Sequence, residues 1–370
     1  MACVRVMSGA KAERTCRTFG TTTVELGELR DWLNGKGCTE VAMEATGVYW
    51  KPVWNILGDG RFDLILANAA HIKAVPGRKT DINDAMWIAD LVACGLIRPS
   101  YVPGERQAEL RSLLRTRKQL CREQASHVQR IQKTLEEANI KLASVISDIL
   151  GVNGRRMIEA MIAGVRNPRR LAGLADRRLK ASPKQLYDAL HGRLTDHHRF
   201  LLKLHLCQWD ALAAAIASID RQVDTQITTM DAGVTAGKAR FRPLIAWLAA
   251  IPGLSTLAST TILSEIGSDM SRFATAGHLV SWAGLCPGQN ESAGKTPGRA
   301  PAQGSAMAQD DPGAVRLGGL AGQDQLLWRA IPTVEEPPRP AESHLRGRCL
   351  AAHHDLPYAQ ARHGLSRPWQ

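Results

Sequence analysis

The chain lacks the features that would place it quickly in several common classes. None of its eight cysteines forms a Cys-x-x-Cys pair. Neither a zinc finger nor a disulfide framework is therefore encoded. Cys3, Cys16, Cys38, Cys94, Cys121, Cys207, Cys286 and Cys349 read as reduced, mostly packing residues of an intracellular protein. The adjacent His197 and His198 are too isolated to argue for a metal. No uninterrupted apolar run approaches the roughly 18 residues that a membrane span needs, and residues 1–16 lack an apolar signal core. A soluble cytoplasmic location with no membrane partner is the expectation.

Acidic residues are also in short supply. Lys and Arg number 47 against 35 Asp and Glu, a formal net charge of +12. Such a surplus gains free energy by releasing counterions condensed on a polyanion. The charge is concentrated between Gly154 and Lys203, where twelve Lys and Arg stand against four acids, Glu159, Asp176, Asp188 and Asp196. A solvated face does not require that density, so nucleic acid is the expected partner. With 370 residues and 44% hydrophobic content, the chain has room for two or three domains with buried cores.

Residues 1–103 alternate short β-like runs (3–7, 40–43 and 63–67) with helical ones (23–36 and 81–94), the pattern of an α/β layer fold. Trp50 and Trp54 share a helical face and read as core. Residues 104–241 form a basic helical region. A long helix over 105–150 carries Leu110, Leu113, Leu120, His127, Ile131, Leu135 and Leu142 at threes, fours and sevens, with Arg111, Arg115, Arg117, Lys118, Arg122, Arg130 and Lys133 facing outward. It reads as a coiled-coil arm or a bundle helix, and a second helix over 199–224 is placed to pair with it antiparallel. A third unit, 242–295, holds Ile251-Pro252-Gly253-Leu254-Ser255 followed by an apolar helix. This is either a helix-hairpin-helix element, whose Gly turn offers backbone N–H groups to phosphate, or an ordinary helix connection.

The most informative residues are three carboxylates. Glu44 closes a strand-like run, and Asp81 and Asp84 open a helical one. Convergence of a strand end and a helix start is how a nuclease-like sheet assembles hard oxygen ligands for Mg²⁺. The same acids at a helix start also satisfy orphan N–H groups, so spacing alone leaves capping open. The surrounding residues decide more. Met43-Glu44-Ala45-Thr46-Gly47-Val48-Tyr49-Trp50-Lys51-Pro52-Val53-Trp54, then Ala67-Asn68-Ala69-Ala70-His71-Ile72-Lys73, then Pro76-Gly77-Arg78-Lys79-Thr80-Asp81 resemble the DEDD-type insertion-sequence transposases, the family of bridge-RNA-guided recombinases. Trp282-Ala283-Gly284-Leu285-Cys286-Pro287 and Glu291-Ser292-Ala293-Gly294-Lys295 resemble the C-terminal transposase domain of that family.

The resemblance implies an RNase H-like N-terminal domain, a coiled-coil-like middle and a mostly α C-terminal domain. It also implies Glu44, Asp81 and Asp84 as ligands of Mg²⁺, and Ser292 as a nucleophile that joins DNA covalently. DNA, a structured guide RNA and further copies of the chain are the implied partners. The family carries a fourth acid in a Gly-x-Asp-Val-like first strand. Here the chain opens with Ala2-Cys3-Val4-Arg5-Val6, which resembles the end of that strand. After Lys295 nine of the eighteen prolines fall in the last 75 residues and no helical period persists. Residues 296–370 therefore read as a disordered tail outside the family pattern, with a frameshift near codon 295 as the economical origin and a natural disordered tail as the alternative. An impaired recombinase is the expectation. A structure-selective nuclease that does not use Ser292, or a non-catalytic nucleic-acid-binding remnant, are the other classes these residues allow.

Overall fold

The computed structural model describes residues 1–8, 11–69, 72, 81–176, 179–234, 239–273 and 275–283. The chain divides into two compact units, Met1–Gly104 and a second beginning at Glu105.

In the first unit β1 (Ala2–Ser8) and β2 (Lys11–Arg17) form an antiparallel hairpin with Ala2 opposite Arg17 and Ser8 opposite Lys11. Ala2–Ser8 is thus one arm of a hairpin. The second arm was not anticipated, because Lys11, Glu13, Arg14 and Arg17 leave it no apolar alternation. α1 (Thr23–Gly35) starts in a reciprocal cap: the Glu25 N–H donates to Thr22 Oγ1, and the Thr22 N–H donates to the Glu25 carboxylate. β3 (Glu40–Glu44), α2 (Trp50–Leu57) and β4 (Asp63–Ala67) follow, and β3 pairs with β4 in parallel from Glu40 opposite Asp63 to Glu44 opposite Ala67. A parallel pair needs a crossover, and α2 lies in that connection. Trp50 and Trp54 meet edge to face at 5.8 Å on α2. α3 (Asp81–Ala93) packs mainly on β1 and also touches β2 and β3. Val4, Leu26, Leu29, Leu33, Leu57 and Phe62 form the buried centre.

The second unit is helical among its described residues. α4 (Glu105–Glu137) is followed by α5 (Leu142–Val145), α6 (Val152–Ile162), α7 (Pro168–Ala172), α8 (Pro183–Leu190), α9 (Asp196–Ala232), α10 (Phe241–Ala249), α11 (Thr256–Ile266) and α12 (Ala276–Trp282). α4 stops at Glu137, well short of residue 150, because Asn139 takes a left-handed conformation, φ 55°, which a short polar side chain tolerates best after glycine. α4 and α9 pair antiparallel: Arg106 donates to the Thr229 carbonyl, Arg117 to Asp220, and His127 meets His205. The short helices between them make a module at the far end of this hairpin. Its core joins Ile131, Leu135, Met157, Ile158, Met161, Leu190, Leu202 and Leu206.

At the other end Leu110, Leu114, Val223 and Ile227 share a core with Phe241, Leu244, Leu248, Leu263 and Ile266. The α10–α11 pair is therefore packed onto the base of the hairpin. Its connecting turn uses Gly253 at φ 90°, and Ser255 Oγ accepts from the Ala258 N–H to start α11.

One expectation needs correcting here. The basic residues of α4 do not all face outward: Arg111 and Arg115 hold Glu265, and Arg117 holds Asp220, because neighbouring helices supply carboxylates on those sides. α9 covers the second helix expected over 199–224 and extends it at both ends. By length and composition it is apolar enough to cross a membrane, although it carries Asp210 in an ion pair and buries Leu202 and Leu206 within its own unit.

Candidate active site and nucleic-acid interface

Glu44 is the last residue of β3. The Ala45 N–H donates to the Ala67 carbonyl at 2.8 Å, holding the strand end against β4. Beyond it the chain turns sharply: the Thr46 N–H donates to the Glu44 carbonyl at 2.9 Å and Gly47 sits at φ 53°. Thr46 Oγ1 donates to Glu44 Oε1 at 2.9 Å, which orients a half-buried carboxylate at the sheet edge.

Asp81 is the first residue of α3, and Asp84 stands exposed in its first turn. The Asp81 side chain lies outside the described residues, as does Ser292. α3 packs against β3, so the elements that carry Glu44 and Asp84 are neighbours. Among the described residues no three His, Cys, Asp or Glu side chains are grouped to hold a metal ion. The donor chemistry is nonetheless that of a hard cation, since Glu44 and Asp84 offer carboxylate oxygens and no soft ligand lies among the three nominated acids.

Sequence reasoning missed Asp90 on the same helix. Its carboxylate takes Arg14 in a two-pronged grip, Nε to Oδ1 at 3.1 Å and Nη2 to Oδ2 at 3.0 Å, and lies 3.2 Å from Arg5 Nε. It ties α3 to both arms of the β1–β2 hairpin. The signal was present in α3 as an acid six residues past Asp84, but its partners lie on strands far away in sequence. Beside it Cys3 faces Cys16 across the hairpin. Burial, then the hydrogen bond and charge of Cys16, push the Cys3 thiol up to about 12, so it stays protonated and unreactive. The six described cysteines are all free thiols.

In the second unit the basic stretch separates into spent and available charges. Arg155 binds Asp210 with both Nη atoms at 2.7 Å and reaches Glu159 with Nε at 2.8 Å. Those contacts raise its pKa and depress that of Asp210. Arg166 and Arg199 converge on Asp196 and lower its pKa, the Arg199 hydrogen bond most. Among the described residues Arg156, Arg170, Lys180, Lys184, Arg193 and Lys203 stand exposed without an ion pair. Arg169 lies over the Tyr187 ring at 5.9 Å, next to His191. This is a cationic module with an aromatic group set in it, suited to phosphate and to stacking on bases.

Comparison with known families now places the chain. A transposase model of the DEDD type, IS110 group, matches residues 2–140, and a model described as transposase of the IS116/IS110/IS902 family matches residues 246–310. The second match continues past Lys295, where the resemblance read from the sequence ended. No curated protein matches the chain. One matched stretch holds Glu44, Asp81 and Asp84 and the other holds Ser292, and both models describe the same group: the chain belongs to the IS110-type DEDD transposases, a family of DNA transposase enzymes.

Proposed function

We propose that this transposase binds DNA together with a structured guide RNA and uses Mg²⁺ to cleave and join DNA strands, acting as a homo-oligomer in the cytoplasm. The observation that carries the reading is the packing of α3, which opens on Asp81 and Asp84, against β3, which ends on Glu44. In this reading the first unit is an RNase H-like domain, and Glu44, Asp81 and Asp84 hold the metal. Mg²⁺ supplies Lewis-acid stabilisation of the phosphodiester oxygens when bound. Thr46 orients the Glu44 carboxylate, leaving Oε2 available.

Ser292 is the nucleophile for covalent joining. The α10–α11 turn and the cations of the α5–α8 module hold nucleic acid by its phosphates, while the Tyr187 region takes unpaired bases.

The test is a supercoiled donor plasmid with its matched RNA and Mg²⁺. Glu44→Gln and Asp84→Asn are expected to abolish strand cleavage while leaving salt-sensitive DNA binding intact, and Ser292→Ala to abolish joined product. Cleavage that survives Glu44→Gln and Asp84→Asn would return both acids to strand-end and helix-capping roles.

A further inference from the structure

Glu44 is followed by two linked turns that end on an aromatic side chain. The Thr46 N–H donates to the Glu44 carbonyl at 2.9 Å, and the Tyr49 N–H donates to the Thr46 carbonyl at 3.3 Å. The second bond closes a four-residue turn, which keeps the Cα atoms of Thr46 and Tyr49 within about 7 Å of each other. Gly47 supplies the left-handed φ of 53° inside it, a conformation that a β-carbon penalises. Backbone bonds thus hold Tyr49 close to the strand end that carries Glu44. The ring itself has no evident task in the fold. Tyr49 is 79% exposed and its neighbour Val48 63%, although both side chains gain by leaving water. Tyr49 precedes α2 without capping it through its side chain, and among the described residues its hydroxyl has no hydrogen-bond partner. Two positions on, Lys51 is exposed and, among the described residues, has no ion pair. Trp50 and Trp54, by contrast, are half-buried against each other.

An exposed ring with a free cation two residues after it fits one nucleotide unit of a strand. The π-face takes an unpaired base of any sequence, and the ammonium takes the phosphate beside it. Bases within a duplex are stacked on both sides and offer no free face, so such a ring favours DNA that is open at this point. The neighbouring acid makes the occupant DNA, because the strand that lies at Glu44 is the strand to be cut.

We infer that Tyr49 stacks on an unpaired base of the DNA strand beside the cleavage position, with Lys51 on the adjoining phosphate, and so admits opened DNA in preference to intact duplex. This rests on the reading of Glu44 as an active-site acid given above. Photocrosslinking of the full chain to a mixed-sequence single-stranded oligonucleotide carrying 5-iodouracil tests it, with no divalent metal present so that nothing is cut. Irradiation should link the DNA at Tyr49, located by tandem mass spectrometry, and Tyr49→Phe should keep the link because it keeps the ring. Tyr49→Ala should lose it and weaken single-strand binding about 10-fold, within the range for removing one stacking aromatic, while duplex binding stays unchanged. Lys51→Ala should flatten the salt dependence of single-strand binding by about 0.7 in log K per log salt. Circular dichroism should show all variants equally folded. Absence of a link at Tyr49, equal losses on single strand and duplex in Tyr49→Ala, or a stronger link to single-stranded RNA of the same sequence would overturn the base platform. A link at Tyr49 together with undiminished cleavage by Glu44→Gln would overturn the active-site reading instead, and with it the placing of the held base at the cleavage position.

Discussion

Glu265 Oε2 lies 3.0 Å from Arg111 Nε, with the two side chains only 12% and 15% exposed. Arg115 completes the site with a fork, Nε to Oε1 and Nη2 to Oε2, each at 3.0 Å. Arg111 Nη2 also donates to the Glu265 carbonyl at 2.6 Å and Gln107 to that of Ser264 at 2.9 Å. The last turn of α11 is thereby fixed to α4 by charge as well as by the apolar contacts beneath it.

Removing the acid leaves two guanidinium groups facing each other, one of them shielded from water. Glu265→Ala should therefore destabilise the second unit by about 3 kcal/mol, the scale for breaking one side of a buried pair. Urea denaturation followed by circular dichroism measures it. Glu265→Gln should recover part of that stability by keeping hydrogen bonds to Arg115. An effect below about 1 kcal/mol, the scale of exposed pairs, would mean that the apolar contacts alone hold α11.

Much of this architecture was legible in the sequence, and the exceptions share a cause. The strands at 40–44 and 63–67 and the helices beginning at Thr23, Asp81 and Glu105 follow from local periodicity and caps. The antiparallel pairing of α4 with α9 follows from their matching apolar series. What local pattern did not reveal is set by distant partners. β2 is too charged to read as a strand and is held by β1. Arg111, Arg115 and Arg117 read as solvent-facing until α11 and α9 bring Glu265 and Asp220 to them. Asp90 gains its role only when β1 and β2 deliver Arg5 and Arg14. The expected approach of the helix that carries Asp84 to the strand that ends on Glu44 is met by the packing of α3 against β3.

The His127–His205 contact predicts a pH dependence of stability. Their Nδ1 atoms are 3.3 Å apart, so one must accept and the pair cannot carry a proton on both. Burial first, then the charges of His127 and Arg130, depress the His205 pKa below its ordinary 6.5. The unfolded chain binds a proton that the folded chain resists. This contribution is complete above 6.5 and is lost as pH falls through that value towards the folded one, with a slope of at most about 1.4 kcal/mol per pH unit. Urea midpoints should fall from pH 7.5 to 5.5, and His205→Gln should flatten that change. Asp196 and Asp210, whose pKa values are lowered, act only in a more acidic window, near and below about 4. An unchanged slope in His205→Gln would assign the effect to another group.

The exposed cations of the α5–α8 module should appear in the salt dependence of binding. On duplex DNA, every phosphate that a variant no longer neutralises flattens the slope of log K against log salt by about 0.9. Arg170→Ala, Lys180→Ala and Lys184→Ala combined should flatten it by up to about three times that. By contrast, Arg166→Ala, which removes a cation already engaged by Asp196, should change it little. Anisotropy titrations from 50 to 300 mM KCl would separate the two, and equal slopes in wild type and triple variant would move the nucleic-acid face elsewhere.

The carboxylate site can be examined without any recombination assay. If Glu44 and Asp84 hold a divalent cation, Mg²⁺ stabilises the folded first unit by binding it and not the unfolded chain, and the gain grows as the logarithm of metal concentration. Thermal unfolding of the full chain at rising MgCl₂, with ionic strength held constant by KCl, should show a first-unit transition that moves up with Mg²⁺. At a concentration about 100 times the dissociation constant the stabilisation is about 2.7 kcal/mol. Glu44→Gln and Asp84→Asn should each abolish the shift, and Thr46→Val should weaken it, because Glu44 Oε1 then loses the hydroxyl that orients it. Asp90→Asn serves as the discriminating variant. It should lower the transition at every Mg²⁺ concentration, since Arg5 and Arg14 lose their anchor, yet keep the same Mg²⁺-dependent increment. An increment that disappears in Asp90→Asn but persists in Glu44→Gln would place the cation on the wrong side of α3 for the proposed chemistry.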